Sequence, residues 1–270
     1  MAKDLEGSPI RVMSFNVRGS SQDARKKNAW RNRAALNVAT IERHAPDVIG
    51  LQEAQRGNLD VYRKRLPRYA HIHGPRYGNT ILFDPERLEP LDSGGFWLSE
   101  TPEKYSKSWL TRVARSATWA LFRVLETGLS FLHLNTHLDH VSALARREAS
   151  KLIVRRVVEI SERTSIDPPT VVTGDFNSRP GNPVHRTFTE SGFVDTYLAA
   201  GNEEGANTYH AFRGASYRDA HPRRGPRRID WILLKDPKGR LRLKSHRIIH
   251  DENDGLFPSD HYPILVELEF

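Results

Sequence analysis

Thr170-Val171-Val172-Thr173-Gly174-Asp175-Phe176-Asn177 begins as a strand and ends as chemistry. β-Branched residues at 170–173 favour an extended, buried conformation, and Gly174 ends the run. A carboxylate and a carboxamide then follow, where a simple turn would need neither. The same design recurs along the chain. Asn16 ends VMSFN (12–16), Glu53 ends VIGLQE (48–53) and His137 ends FLHLNTH (131–137). Asp230 opens IDWILL (229–234), and Asp260–His261 opens a last strand in SDHYPILVEL (259–268). Each alone is weak, because an Asn or Asp at a strand end is more often a turn former. Together, strands terminating at one edge of a sheet pair would gather carboxylates, carboxamides and imidazoles at one rim. That is the inventory for a hard cation and for acid–base chemistry on phosphate.

Working outward, the remaining periodicity supplies the frame. Ile10–Asn16, Asp47–Gln52, Asn79–Phe83, Phe96–Leu98, Ala117–Leu125, Leu129–Leu138, Ile229–Leu234, Leu241–Ile249 and Tyr262–Phe270 read as strands, with a hairpin near Thr127–Gly128. Helices are expected over Asn28–Arg43, from about Asn58 to Leu66, and over Ser142–Arg163, where Ala149, Leu152, Ile153, Val157 and Ile160 line one face. Many strands with few helices imply an α+β chain, a four-layer α/β sandwich in which two mostly antiparallel sheets pack face to face with helices outside. No repeat or long linker interrupts the chain, so one domain is expected over residues 10–270, after a short tail of residues 1–9.

Composition sets the outer limits. The 270 residues are 38% hydrophobic, enough for a sizeable core. There is no cysteine, which excludes disulfides, thiolate zinc sites and cysteine nucleophiles. No segment has the pattern of a signal peptide or the length of a membrane span, so a soluble, cytoplasmic, monomeric protein without stable membrane insertion is expected. Lys and Arg number 41 against 33 acids, a formal charge of +8. Such an excess steers polyanions, although an Arg-rich proteome produces it equally well. The basic residues cluster at Arg63–Arg65 and in the run Arg223–Arg228, which reads equally as a polyanion grip or as a solvated loop.

The ordered set SFNVRG, GLQE, RSATWA, NTHLDH, GDFN, RIDWILL and SDHYP resembles the endonuclease/exonuclease/phosphatase superfamily, the fold of pancreatic deoxyribonuclease and the apurinic endonucleases. FWLSETP, NTHLDH, GDFN, RIDWILL and SDHYP are most similar to bacterial relatives of its deadenylase-like branch. The resemblance runs from about Val12 to the C-terminus. It implies that Glu53 and Asn16 hold a catalytic Mg²⁺, with Mn²⁺ a possible substitute, and that Asp260 binds the same ion or a second one. It implies that Asp175 deprotonates the attacking water, while Asn177 holds water or a phosphate oxygen. His261 would contact the scissile phosphate, Asp230 would orient His261, His137 would protonate the leaving group, and Arg115 would grip the phosphate. Attack would be in line, without a covalent intermediate. One departure is Gly78–Asn79, where many members of that branch carry Gly-Glu.

The implied substrate is a polyanionic phosphate ester. A nuclease acting on DNA or RNA is the leading expectation, and a phosphatase for a lipid head group, inositol phosphate or sugar phosphate is the alternative. A binding module without activity is opposed by the complete set Glu53, Asp175 and His261. Several other residues have blander readings. His71 and His73 share a strand face without an evident third ligand, and His133 reads as a satisfied core residue. His140 lies near the implied site. Trp97, Trp109 and Trp119 are more often core than base-stacking platforms.

Overall fold

In the computed structural model, residues 7–23, 25–164, 167–220 and 225–270 are described. Arg223 and Arg224 of the basic run, and most of the expected N-terminal tail, lie outside them. In chain order the elements are β1 (Ile10–Asn16), α1 (Trp30–His44), β2 (Val48–Gln52), α2 (Arg56–Arg65), β3 (Ala70–Ile72), β4 (Ile81–Phe83), β5 (Leu88–Trp97), β6 (Ser116–Val124), β7 (Ser130–His137) and α3 (Ala143–Arg163). They continue with β8 (Thr170–Asp175), α4 (Pro183–Thr189), β9 (Val194–Asp195), α5 (Thr196–Ala199), α6 (Tyr217–Ala220), β10 (Asp230–Lys235), β11 (Arg242–Ile248) and β12 (Ile264–Glu269). Among these elements no helix is long and apolar enough to cross a membrane.

Two six-stranded sheets result, in the orders β11-β12-β1-β2-β4-β3 and β5-β6-β7-β8-β10-β9. Each contains one parallel pair, β1 with β2 and β7 with β8, so both are mixed but mostly antiparallel. The apolar residues divide into three clusters, as four layers require. One joins α1 and α2 to the first sheet through Met13, Phe15, Val38, Ile41 and Tyr62. A second lies between the sheets, with Val12, Val48 and Ile264 facing Phe122, Phe131 and Ile232. The third joins the second sheet to α3 and α4 through Leu134, Val172, Trp231, Ile153 and Phe188. The helix ends follow local rules: Ser142 caps α3 by accepting from the Ala145 amide, and Asn182 caps α4 just before Pro183.

Strand alternation explains where the polar residues go. Side chains two apart share a face, and the inward face of each central strand changes character along its length. β1 presents Ile10 and Val12, then Ser14 and Asn16. β7 presents Phe131, then His133, Asn135 and His137, and β8 presents Val171, then Thr173 and Asp175. At one end the sheets meet through hydrocarbon. In the middle they meet through hydrogen bonds: Gln52 Nε2 donates to Asn135 Oδ1 (2.8 Å) and Ser14 Oγ (3.1 Å), and Asn135 Nδ2 donates to the Leu51 carbonyl (2.7 Å). His133 belongs to this seam, 2.9 Å from Thr173 Oγ1, and burial lowers its pKa to about 3, so it is neutral. Gly50 permits the close approach, since a Cβ there would lie 2.1 Å from Thr173 Oγ1.

Two expectations need correction. The short strand at Phe96–Leu98 is the end of the ten-residue β5, whose inner positions are obscured by Gly94, Gly95 and a register shift between Pro90 and Asp92. Asn79 is not in a strand but closes a turn of 3₁₀ helix over Tyr77–Asn79, with β4 starting at Ile81.

Candidate active site

At the third zone of the inner face the strands end together. β1, β2, β7 and β8 finish there, and the antiparallel β10 begins there. Register lines up the side chains: His137 pairs with Asp175 across the parallel ladder, and Asp175 pairs with Asp230 across the antiparallel one. The segment before β12 adds Asp260 and His261. A cleft of about 740 Å³ opens over this edge, and Glu53, Arg115, His137, Asp175, Asn177, Asp260 and His261 all line it. Asn16 and Asp230 are buried behind it. All of the residues singled out from the strand ends, together with Arg115, are therefore gathered in one place.

At its centre, His261 Nδ1 lies 2.9 Å from Asp230 Oδ2 and 3.1 Å from Oδ1. Its Nε2 faces Asp175 Oδ2 at 3.8 Å. Burial alone would lower the imidazole pKa, but the charges of Asp230 and Asp175 and the hydrogen bond that Nδ1 donates to Asp230 outweigh it and lift the value to about 10. His261 is thus an imidazolium. Asp175 is pushed the other way for an acid: burial first, then the charge of Asp230, raises its carboxyl to about 7. Its Oδ1 accepts from the Asn177 amide (2.9 Å) and its Oδ2 from Asn16 Nδ2 (3.0 Å), which fixes the carboxyl group in place. A rigid carboxylate with a pKa near neutrality is what a general base needs.

His137 differs. Burial, followed by the charges of Arg115 and His261, holds its pKa well below the usual value, so it is neutral. Its Nε2 lies 3.1 Å from Asn177 Nδ2 and 3.4 Å from Asp175 Oδ2. A neutral imidazole orients a phosphate oxygen by hydrogen bonding more readily than it delivers a proton. Arg115 is half-buried with a buried Nε lacking a hydrogen-bond partner, while Nη2 contacts His140 Nδ1 at 3.1 Å. A guanidinium held with a free donor at the cleft wall suits an incoming oxyanion.

Among the described residues, one group of ligand-type side chains lies close enough together to surround an ion: Asp175, Asp230 and His261. We read it as a hydrogen-bonded cluster instead, because both ring nitrogens of His261 already face carboxylates, Nδ1 on Asp230 and Nε2 on Asp175. The oxygen donors beside it fit a hard cation better. Glu53 is half-buried, yet the charge of His261, the Asn16 hydrogen bond (3.2 Å) and Arg18 hold its carboxyl below the usual value, so it is ionised. Asp260 faces the same cleft, and four carboxylates crowd this edge (Glu53, Asp175, Asp230 and Asp260). Glu53 also has a φ of 58°, a left-handed conformation that is costly for a non-glycine residue and concentrates at functional sites. The donor set therefore fits a divalent ion such as Mg²⁺.

The cleft also contains residues that the strand-end pattern passes over. Gln22 Nε2 donates to Glu53 Oε2 (2.5 Å), and Arg18 bridges Asp23 (3.0 Å) and Asp260 (3.4 Å). Arg56, Arg76, Tyr77, Tyr209 and Arg227 line its walls. Apart from Arg56 at the start of α2 and Tyr77 in the 3₁₀ turn, these come from loops, where no periodicity marks them, and only the Arg223–Arg228 run gives a signal. By contrast, His73 Nδ1 simply meets Thr80 Oγ1 at 3.0 Å beside His71, and Trp109 and Trp119 pack on the α3 cluster.

Two sheets converging on a carboxylate-clamped imidazole, a raised carboxyl, an oxygen-rich cation cradle and a half-buried guanidinium define a layered α/β sandwich with a site suited to phosphate chemistry. Comparison with known proteins gives the narrower assignment. The chain belongs to the Endonuclease/Exonuclease/phosphatase family, whose profile matches residues 13–261. A mannosyl-6-phosphatase of Bacteroides thetaiotaomicron superposes with a TM-score of 0.85 and 27% identity, covering 97% of this chain and 100% of that one. A family protein of Bacteroides vulgatus does so with a TM-score of 0.84 and 31% identity, covering 98% and 100%. Nocturnin of Drosophila melanogaster is 26% identical over 205 residues, 68% of this chain and 31% of that protein. The chain thus spans less than a third of that relative's length.

Proposed function

We propose that this protein is a divalent-cation-dependent phosphatase that transfers the phosphoryl group of a small phosphate monoester, such as a sugar phosphate, directly to water. The observation that carries the reading is the buried His261 ring seated between Asp230 and Asp175 at the cleft floor. Glu53, with Asn16 and Asp260, would hold the cation, Mg²⁺ or in substitution Mn²⁺, which when bound supplies positive charge to the phosphate oxygens. Asp175, steadied by Asn16 and Asn177, takes a proton from the attacking water as the bond from phosphorus to the alcohol oxygen breaks, and the departing oxygen takes its proton from water in the open cleft. His261 donates to a phosphate oxygen and offsets the charge growing there, while Asp230 fixes its tautomer. Arg115 and neutral His137 fix two further oxygens, with Asn177 orienting His137. No side chain need bond to phosphorus, since positioning and electrostatics dominate phosphoryl transfer.

The small-ester reading is supported by the superposition on a mannosyl-6-phosphatase over nearly the full length of both chains. A nuclease is the second reading, favoured by the net charge of +8 and the arginines along the cleft. The test is hydrolysis of sugar phosphates, inositol phosphates, single-stranded RNA, and single- and double-stranded DNA, with Mg²⁺ and with chelator. Chelator-sensitive release of phosphate that Asp175→Asn abolishes is expected with the small esters. Cutting confined to polynucleotides would replace the first reading by the second, and activity indifferent to both chelator and Asp175→Asn would remove the mechanism.

A further inference from the structure

Adjacent arginines of the basic run have opposite environments. Arg228 is buried, with its fork on Asp195 at 3.1 and 2.7 Å and its guanidinium over the Tyr197 ring at 4.6 Å. Arg227, one residue earlier and so on the other side of the extended chain, points into the cleft. Its guanidinium lies 4.6 Å from the centroid of Tyr209, whose ring meets His261 at 4.9 Å. The backbone at this point is pinned: the Arg227 amide donates to Asn207 Oδ1 (2.7 Å), and its carbonyl accepts from the amides of Thr208 (3.1 Å) and Tyr209 (3.2 Å).

Among the described residues, no carboxylate comes within ion-pair distance of Arg227, nor of Arg76, which donates to the Ala114 carbonyl on the His137 side of the cleft. Arg18 differs, being matched by Asp23 and Asp260. The scissile phosphate already has Arg115 and His261 beside it. A further cation held on an aromatic face in a cleft, without a counter-ion of its own, raises repulsion that a second anion would relieve.

We propose that Arg227, seated on Tyr209, binds a second phosphate group carried by the substrate, next to the one that is hydrolysed. The inference rests on the phosphoesterase reading and narrows its substrate class to compounds with two phosphates. The second phosphate has two sources, another position of a small sugar or the neighbouring nucleotide of a strand.

The experiment uses the full chain with Mg²⁺ and two matched pairs: mannose 6-phosphate against mannose 1,6-bisphosphate, and a nucleoside monophosphate against a 5′-phosphorylated dinucleotide. One charge-assisted contact is expected to favour the doubly phosphorylated member of one pair by about tenfold to a hundredfold in kcat/KM. Arg227→Gln should bring that preference close to one, mainly through KM, and Arg227→Lys should keep part of it. The pair showing the effect identifies the source. Hydrolysis without a preference, or a preference untouched by Arg227→Gln, overturns the second-phosphate site alone. Failure to hydrolyse any of the four overturns the site together with the reading beneath it.

Discussion

Replacing Asp230 by Asn keeps the shape beside His261 and removes a negative charge 2.9 Å from its Nδ1. In the native protein the imidazole pKa stands at about 10, against the pull of burial, because Asp230 and Asp175 favour its charged form. In the variant the burial remains and the larger of those charges is gone. An opposite charge this close is worth about 1–3 pKa units. Subtracting that from about 10 puts the imidazole of the variant at about 7–9, each unit being tenfold in population. Asp175 moves the same way, since burial and then the Asp230 charge hold its carboxyl up at about 7. Both limbs of the pH–rate profile should therefore shift toward acid. The assay is kcat/KM for a sugar phosphate from roughly pH 5 to pH 11 at saturating Mg²⁺, for both proteins. Relative to its own maximum, the variant should lose about twofold to a hundredfold near pH 9 while holding its rate near pH 6. An alkaline limb that stays near that of the native enzyme would refute the claim that Asp230 maintains the imidazolium.

Three further outcomes concern stability. Burial alone would raise the Asp195 pKa, but hydrogen bonds from His185 and Arg228 hold it at about 2 against an ordinary 3.8. The difference contributes about 2 kcal/mol, fully present above pH ~4 and lost as pH falls through about 2; Asp195→Asn should flatten that part of the urea-denaturation profile. Asp175 has the opposite sign: its folded pKa is raised to about 7, so its ionisation costs stability above that pH, up to roughly 4 kcal/mol, and relieves it as pH falls toward 3.8. Asp175→Asn should therefore be inactive but more resistant to denaturant at pH 8 without Mg²⁺. Arg33, fully buried between Trp30 and Phe212, donates to the carbonyls of Val17, Arg18, Asn28 and Pro258; Arg33→Met should destabilise by about 3 kcal/mol or more in the same assay, with Arg33→Lys milder.

The strand ends were legible because two signals coincide there, an apolar run and a polar residue that a turn does not require. Asn16, Glu53, His137, Asp175 and Asp230 all combine them, and the layer order followed from counting strands against helices. Length and position failed where the signal was diluted. β5 has exposed or half-exposed residues from Glu89 to Gly95, so its apolar content concentrates in Phe96 and only its end was read. The protonation of His137 was also beyond sequence, because it depends on Arg115 and His261, which are distant in the chain and adjacent in the fold. Loop residues such as Gln22, Arg76 and Tyr209 reach the cleft from segments without periodicity. The run ending in Arg227 and Arg228 could be flagged, but its division into one structural and one cleft-facing arginine depends on Asp195 and Tyr209 being on opposite sides of it.

The chemical end of the sandwich is assembled from groups that oppose folding. Asp175, Asp230 and Asp260 are withdrawn from water close together, and Glu53 and Asn177 sit at positive φ. A cation bound by Glu53 would offset part of this cost, which makes stability and metal occupancy linked quantities. The opposing contribution comes from the far end of the same strands, where Val12, Phe122, Phe131 and Ile232 meet across the sheets. Arg33 joins the two loops that need holding: it binds the carbonyl of Val17, just after Asn16, and that of Pro258, just before Asp260. One strand can therefore serve stability at one end and catalysis at the other. The period of two keeps both ends on the same face, and a one-residue slip in register would turn the whole set outward at once.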